Sequence, residues 1–165
     1  MTSTIRSAWN VPRGVSLPVA LVASVGASLI VEVIIAAVAH AAGASADFRP
    51  LTLAGLLGPT IVALMIALVV WELVRRRAAD AVAVMRWLVP VGVVVSWLPD
   101  VALGTTHRIA TGPVPDTTWG EVGVLMVMHV FAAAIAVGLF SRLLPLRRRS
   151  FTPPYVAEPR LVAER

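Results

Sequence analysis

The chain contains no cysteine and no lysine, and charged residues account for only 14% of its 165 positions. Without cysteine, disulfides, thiolate metal sites and thiol redox chemistry are excluded. The sequence also lacks the residue spacing of any catalytic, nucleotide-binding or metal-ligand motif. We therefore predict no catalytic residue, no metal and no cofactor, and we favour a non-enzymatic function.

The composition is that of a membrane protein. Hydrophobic residues make up 58% of the chain, and the mean hydropathy is +0.86. About 20 apolar residues suffice to cross a bilayer as a helix. We predict an all-α, four-helix transmembrane bundle of up-down-up-down topology. The expected parts are an N-terminal segment at 1–14, a membrane domain at 15–146 with spans at about 15–40, 51–74, 84–104 and 121–143, and a tail at 147–165.

A cleaved signal peptide is the competing interpretation of the first apolar run. Ala39–Ala41 and Ala44–Ala46 both have the small-x-small form of a cleavage site. However, the run is longer than the apolar region of about 7 to 15 residues that signal peptides contain. It also carries Glu32. Both features favour a first span that is retained.

The arginines predict the orientation. Twelve of the fourteen fall in segments on one side of the predicted spans, and only Arg49 and Arg108 fall on the other. Because basic residues are enriched in cytoplasmic segments, we expect both termini in the cytoplasm and the protein in the plasma membrane. Tryptophans near the span ends predict an interfacial aromatic belt, formed by Trp9, Trp71, Trp87 and Trp119.

The net charge of +5 is expected to engage anionic lipids and not nucleic acid. The arginines flank apolar spans and do not form a patch on a soluble domain. The tail is rich in proline and is predicted to be disordered. Because the soluble segments are short, a second copy of the chain or a larger membrane protein is the other expected partner. The arginines predicted to bind lipid head groups are Arg75, Arg76, Arg77, Arg147, Arg148 and Arg149.

Five polar residues within the spans form the candidate site. Glu32, Thr60, Ser96 and His129 each lie about 8 or 9 residues from the outer end of their span, and Asp100 lies one turn above Ser96. That depth is roughly 12 to 14 Å, near the middle of a ~30 Å hydrocarbon core. An ionisable group there costs about 2.5 to 3.5 kcal/mol. We therefore predict that Glu32 and His129 meet inside the bundle, with Ser96 or Asp100 completing a polar layer.

The role of this layer stays open between two interpretations. Ser24, Ser28 and Glu32 recur every four residues on one stripe of the first helix, which is typical of close helix packing in lipid. We favour a structural or accessory membrane component. The alternative is a small transporter or channel subunit that uses Glu32, His129 and Asp100 as an ion or proton site. A divalent metal is disfavoured because the histidines and acids match no ligand spacing.

Three short motifs resemble a known family. They are Asp47–Thr52 at the entry to the second span, Ser96–Asp100 in the third and Met128–Val130 in the fourth. With the four short spans, they make the region from about Pro18 to Arg142 similar to an uncharacterised family of small four-span integral membrane proteins found mainly in actinobacteria. That family has no assigned activity. The resemblance therefore implies a fold and a membrane location and carries over no catalytic residue.

Overall fold

The computed structural model describes residues 16–109, 112–114 and 117–146. The predicted segment at 1–14 and the predicted tail, with Arg147–Arg149, lie outside the described residues. A 3₁₀ turn precedes the second helix. An antiparallel hairpin, in which each strand has two residues, follows the fourth helix. The elements are α1 (Leu17–Ala41), the 3₁₀ turn (Arg49–Leu51), α2 (Leu53–Arg77), α3 (Ala81–Ser96), α4 (Leu98–Thr106), β1 (Arg108–Ile109), β2 (Gly112–Pro113) and α5 (Trp119–Leu143).

Four helical segments are long and apolar enough to cross a membrane. They are α1, α2, the consecutive pair α3–α4 and α5. The predicted all-α four-helix bundle is thereby confirmed, and its architecture is that of a multi-pass integral membrane protein. α3 and α4 are separated only by Trp97, and Pro99 lies in the first turn of α4. Since proline lacks the backbone N–H that a continuing helix needs, the third span is broken at this point.

Local sequence explains where two of the long helices begin. The Thr52 hydroxyl accepts a hydrogen bond from the Gly55 N–H over 3.2 Å at the start of α2. At the start of α5, Thr118 and Glu121 form a reciprocal capping box. These bonds satisfy backbone donors that the first turn of a helix leaves free. In a membrane protein, they also set the depth at which each helix starts.

The buried apolar residues form two clusters at opposite ends of the bundle. We call one end the hairpin end, because it carries the 42–52 loop and the β1–β2 hairpin, and the other the arginine end, because it carries Arg75–Arg77. The polar residues of the candidate site lie between the two clusters. The hairpin-end cluster comprises Ala36, Ala39, Phe48, Leu51, Leu56, Leu103, Val114, Leu125 and Met128, and the arginine-end cluster comprises Ala20, Leu64, Leu68, Trp71, Ala136, Phe140 and Leu144.

Trp71 does not lie in the interfacial aromatic belt that the sequence predicts. It is only 2% exposed and packs edge-on against Phe140 with ring centroids 5.6 Å apart. Its indole Nε1–H donates to the Leu144 carbonyl oxygen over 3.0 Å. The N–H is the only polar group of the indole, and this hydrogen bond satisfies it. Burial of the large ring inside the bundle is therefore favourable. Trp87 and Trp119, in contrast, are 75% and 61% exposed.

The outward faces of the helices are apolar. Val22, Ile30 and Val69 are among the large side chains that are exposed on α1 and α2. α1 packs mainly against α5 and then against α2, whereas Ala81 is the only buried residue of α3 within the described chain. Such surfaces are compatible with hydrocarbon and not with water, so the helices contact lipid.

Candidate functional site

The candidate site lies on a buried stripe of α1 and on the helix faces opposite it. Along this stripe, Ala20 belongs to the arginine-end cluster and Ala36 to the hairpin-end cluster. Ser24, Ser28 and Glu32 lie between them and are all buried. Because apolar residues close both ends of the stripe, each polar group on it needs a partner inside the bundle.

Glu32 is bonded to the second helix. Its side chain is 5% exposed, and the hydroxyl group of Thr60, which is 8% exposed, donates to Glu32 Oε2 over 2.7 Å. α1 and α2 are joined by a short connection and run antiparallel, so residues at similar depth on the two helices face one another. The hydrogen bond links α1 to α2 and gives the carboxyl group a donor that carries no charge.

Asp100 and His129 form the second pair of the site. Asp100 lies in the first turn of α4, where the helix N-terminus favours a carboxylate. Its Oδ2 lies 3.1 Å from His129 Nδ1 on α5. The same Nδ1 lies 2.8 Å from the Leu125 carbonyl oxygen. A carbonyl oxygen can only accept, so Nδ1 carries a proton and Nε2 is the variable nitrogen of this ring.

The Asp100–His129 pair leaves polar atoms unsatisfied. Asp100 Oδ2 is buried and accepts no hydrogen bond from the described residues, because the Nδ1–H bond is directed at Leu125. The His129 side chain is 33% exposed, and its Nε2 has no hydrogen-bond partner within the described chain. The pair therefore keeps one acceptor inside the bundle and one ring nitrogen at its edge.

The direct contact between Glu32 and His129 that the sequence predicts is not formed. Across the described part of the chain, the two side chains share no hydrogen bond or ion pair, although they lie close enough to interact electrostatically. Thr60 lies against Glu32, and Asp100 lies against His129. The layer therefore consists of two neighbouring pairs, one between α1 and α2 and one between α4 and α5.

Ser96 lies apart from both pairs. It is the last residue of α3, and its hydroxyl group donates to the Val93 carbonyl oxygen of the same helix over 2.7 Å. Trp97 interrupts the helix after Ser96, so Ser96 belongs to α3 and Asp100 to α4. Trp97 at the break donates from Nε1 to the Met126 carbonyl oxygen over 3.1 Å and links this point to α5.

One buried carboxylate lies outside the predicted site. Glu121 is 4% exposed, and it accepts from the Ser45 N–H over 3.0 Å and from the Thr118 N–H over 2.9 Å. It thereby ties the loop after α1 to the start of α5. The signal for it is present in the sequence, because Thr118 and Glu121 have the T-x-x-E spacing of a capping box.

The arginines at the end of α2 are partly neutralised. Arg75 donates to Glu72 from Nε over 2.7 Å and from Nη2 over 2.9 Å, and Arg76 also pairs with Glu72. Arg77 is exposed. The binding of head groups by Arg75, Arg76 and Arg77 stays a prediction.

The site offers no evident metal cage. Within residues 16–109, 112–114 and 117–146, no three histidine, aspartate or glutamate side chains are grouped so that they could hold a metal ion. A shallow pocket of about 230 Å³ opens at the hairpin end, away from the polar layer, between the 42–52 loop and β2. Two carboxylates line it, Asp47 and Glu121, and Glu121 is already occupied by the bonds to the Ser45 and Thr118 N–H groups.

No protein-family model, curated protein or solved structure matches this chain. The family resemblance noted for its short motifs therefore stays a prediction, and the case for a function depends on the geometry of the polar layer.

Proposed function

We propose that this protein is a structural or accessory component of the plasma membrane whose buried polar layer holds its helices in register. The observation that carries the proposal is that both polar pairs join different helices, Glu32 with Thr60 and Asp100 with His129. A polar contact between two helices forms at only one relative depth and one relative rotation of those helices. It therefore selects a single packing arrangement, whereas apolar surfaces alone would allow the helices to slide past one another.

A double-mutant cycle tests this role. Glu32→Met and Thr60→Val should each lower the free energy of unfolding in bicelles, because each leaves the other group without its buried partner. The double variant should be destabilised by less than the sum, with a coupling of about 0.5 to 2 kcal/mol. Ser141→Ala is the matched control, because the Ser141 hydroxyl is exposed and bonds only to Gly138 of its own helix. Strict additivity for Glu32 and Thr60 would contradict a register role.

The accessory role implies a partner within the bilayer. Outward faces of the helices are apolar, and the segments between the helices are too short to form a soluble domain. We expect purification in native lipid to recover the protein with a stoichiometric membrane partner or with a second copy of itself. A protein that is monomeric and turns over a lipid substrate would instead be an intramembrane enzyme, and the accessory role would be abandoned.

The proposal includes a location and a family. Among the described residues, Arg75, Arg76, Arg77, Arg86 and Arg142 belong to the arginine end, whereas Arg49 and Arg108 belong to the hairpin end. This asymmetry supports an arginine end in the cytoplasm and contact with anionic lipid there.

The motifs at Asp47–Thr52 and Ser96–Asp100 support membership of the family of small four-span membrane proteins that the sequence resembles.

A proton or ion site in a small transporter or channel subunit is the second candidate function. It is favoured by Asp100 Oδ2, which is buried and accepts no hydrogen bond from the described residues, beside a histidine that has one ring nitrogen at the edge of the bundle. A layer that served packing alone would gain stability by satisfying that oxygen. Because four helices enclose little volume, several copies would be needed to form a pore.

A further inference from the structure

The pocket at the hairpin end presents one acid and one base to the same small space. Asp47 and Arg49 lie two residues apart on the 42–52 loop, and both line the pocket, whose volume is about 230 Å³. Both residues are exposed. Among the described residues, neither side chain forms an ion pair or a hydrogen bond. The two opposite charges are therefore available to a ligand.

The other polar groups of the pocket are already engaged. Glu121 accepts hydrogen bonds from two backbone N–H groups, over 3.0 Å and 2.9 Å. The hydroxyl oxygen of Ser45 accepts from the Asp47 N–H over 3.2 Å. Phe48, which also lines the pocket, is only 3% exposed and supplies an apolar floor. A ligand would consequently meet the charges of Asp47 and Arg49 above an apolar base.

The loop that carries the two charges is held in place by hydrogen bonds. Near its start, the Ser45 N–H donates to Glu121 over 3.0 Å, and the Phe48 N–H donates to the Ser45 carbonyl oxygen over 3.2 Å. At its end, the Thr52 N–H donates to the Arg49 carbonyl oxygen over 3.0 Å. Because the loop is already ordered, binding a ligand there costs little conformational entropy.

The pocket lies at the depth of lipid head groups. Its residues belong to the loop between α1 and α2, to the hairpin and to the first turn of α5, so they lie at the ends of the spans. In a bilayer, the head-group layers flank a hydrocarbon core of about 30 Å. α2 continues from the loop with Leu53 and Leu57, which are 63% and 43% exposed. A lipid bound at the loop would find an apolar surface for its acyl chains.

We propose that this pocket binds the head group of a phospholipid that has a primary ammonium group, of the phosphatidylethanolamine class. The Arg49 guanidinium would donate to the phosphate, whose geometry it matches. The Asp47 carboxylate would accept from the ammonium N–H groups. The site is separate from the polar layer, so the inference goes beyond the register role and does not depend on it.

The two charges discriminate between classes of lipid. Phosphatidylcholine has the same net charge, but its quaternary ammonium has no N–H to donate to Asp47. Phosphatidylglycerol offers a phosphate to Arg49 but no cation to Asp47. The size of the pocket sets an upper limit, because drug-sized ligands occupy about 300 to 1,000 Å³. A space of about 230 Å³ suits a head group better than a larger solute.

Competition between two lipids tests the proposal. The full chain in detergent is mixed with equimolar phosphatidylethanolamine and phosphatidylcholine that have identical acyl chains, and the bound lipids are identified by native mass spectrometry. No anionic lipid is then present to bind at the arginine end. We expect bound phosphatidylethanolamine to exceed phosphatidylcholine by about threefold to fivefold, which is what one partly exposed charged contact provides. Equal binding of the two lipids would overturn the proposal.

Variants assign the roles of the two charged residues. Asp47→Asn should abolish the preference but keep lipid bound, because Arg49 still holds the phosphate. Arg49→Gln should weaken the binding of both lipids, and Arg49→Lys should restore part of it because it restores the charge. Arg108→Gln is the matched control, because Arg108 is exposed at the same end but does not line the pocket. A preference that survives Asp47→Asn would contradict the assignment.

Further measurements identify the source and the charge of the ligand. Soluble phosphoethanolamine has the same charged groups without acyl chains, and it should not displace the lipid at equal concentration. If it does, the pocket binds a free solute and the lipid is rejected. Stronger binding of phosphatidylglycerol than of phosphatidylethanolamine would indicate an anion site and reject the role of Asp47.

Thermal unfolding separates binding from stability. Because Asp47 and Arg49 are exposed, their variants should unfold at the wild-type midpoint. A lowered midpoint in Arg49→Gln would mean that Arg49 stabilises the loop and would reject its role as the phosphate ligand. None of these outcomes affects the double-mutant cycle of Glu32 and Thr60, so this proposal and the register role can fail separately.

Discussion

Single hydrogen bonds matter more in this bundle than their number suggests, because apolar side chains supply most of the remaining contacts. The Trp71 indole shows this at the arginine end, where its N–H bonds to the Leu144 carbonyl just beyond α5. The bond anchors the end of α5 to α2. Trp87, in contrast, is 75% exposed.

The prediction at the residue scale concerns this donor. Trp71→Phe keeps the aromatic contact with Phe140 but leaves the Leu144 carbonyl without its donor, so we expect the free energy of unfolding to fall by about 1 kcal/mol. Denaturation in bicelles measures it. Trp87→Phe is the matched control and should change stability little. Equal losses in the two variants would mean that the Trp71 hydrogen bond contributes nothing specific.

At the scale of elements, the backbone is closely packed at the junction between the 3₁₀ turn and α2. A β-carbon on Gly55 would overlap the backbone oxygen of Arg49, which no side-chain adjustment can relieve. The Thr52 cap, which also accepts from the Gly55 N–H, holds the chain in this close approach. The start of α2, and with it the depth of Thr60 opposite Glu32, depends on a glycine at position 55.

This geometry distinguishes two glycines in the same helix. Gly55→Ala should destabilise the protein by about 1 to 3 kcal/mol, because the backbone must move to make room. Gly58→Ala, where nothing lies within 4 Å of the added carbon, should be neutral or stabilising by up to about 1 kcal/mol. Thermal unfolding of the two variants compares them directly. A Gly55→Ala protein as stable as Gly58→Ala would show that the turn is looser than described.

At the scale of the whole molecule, the two ends of the bundle differ in chemistry. The arginine end carries the charged turn between α2 and α3. The hairpin end carries a buried carboxylate, Glu121 in the first turn of α5, which is bonded to backbone N–H groups. Because cytoplasmic segments are enriched in basic residues, we expect the arginine end to face the cytoplasm.

Reporter fusions measure this orientation. Fusions at Ala79 and at the C-terminus should report a cytoplasmic location, and fusions at Ala44 and Pro113 should report an external one. A fusion at Ala79 that is active outside the cell would reverse the orientation. Loss of the first segment from the mature protein would identify a cleaved signal peptide instead.

The number and type of the helices could be predicted from the sequence alone. Length and hydropathy are sums over neighbouring residues, and they are enough to identify a segment that crosses a bilayer. The depth of a residue follows from its distance along the helix, so Glu32 and Thr60 could be assigned to one level before any contact was known. The break in the third span was harder to predict from the sequence, although Pro99 provides its physical cause.

Which side chains meet was decided by the tertiary structure. Partners depend on how each helix is rotated about its axis, and helices that are apolar on nearly every face carry little periodic signal for that rotation. Glu32 is therefore bonded to Thr60 and not to His129. Of the two predicted alternatives, Asp100 and not Ser96 lies beside His129, and Trp71 is buried. The sequence determined that Ser24 and Ser28 share a stripe with Glu32, whereas only the packed bundle shows that both hydroxyl groups are fully enclosed.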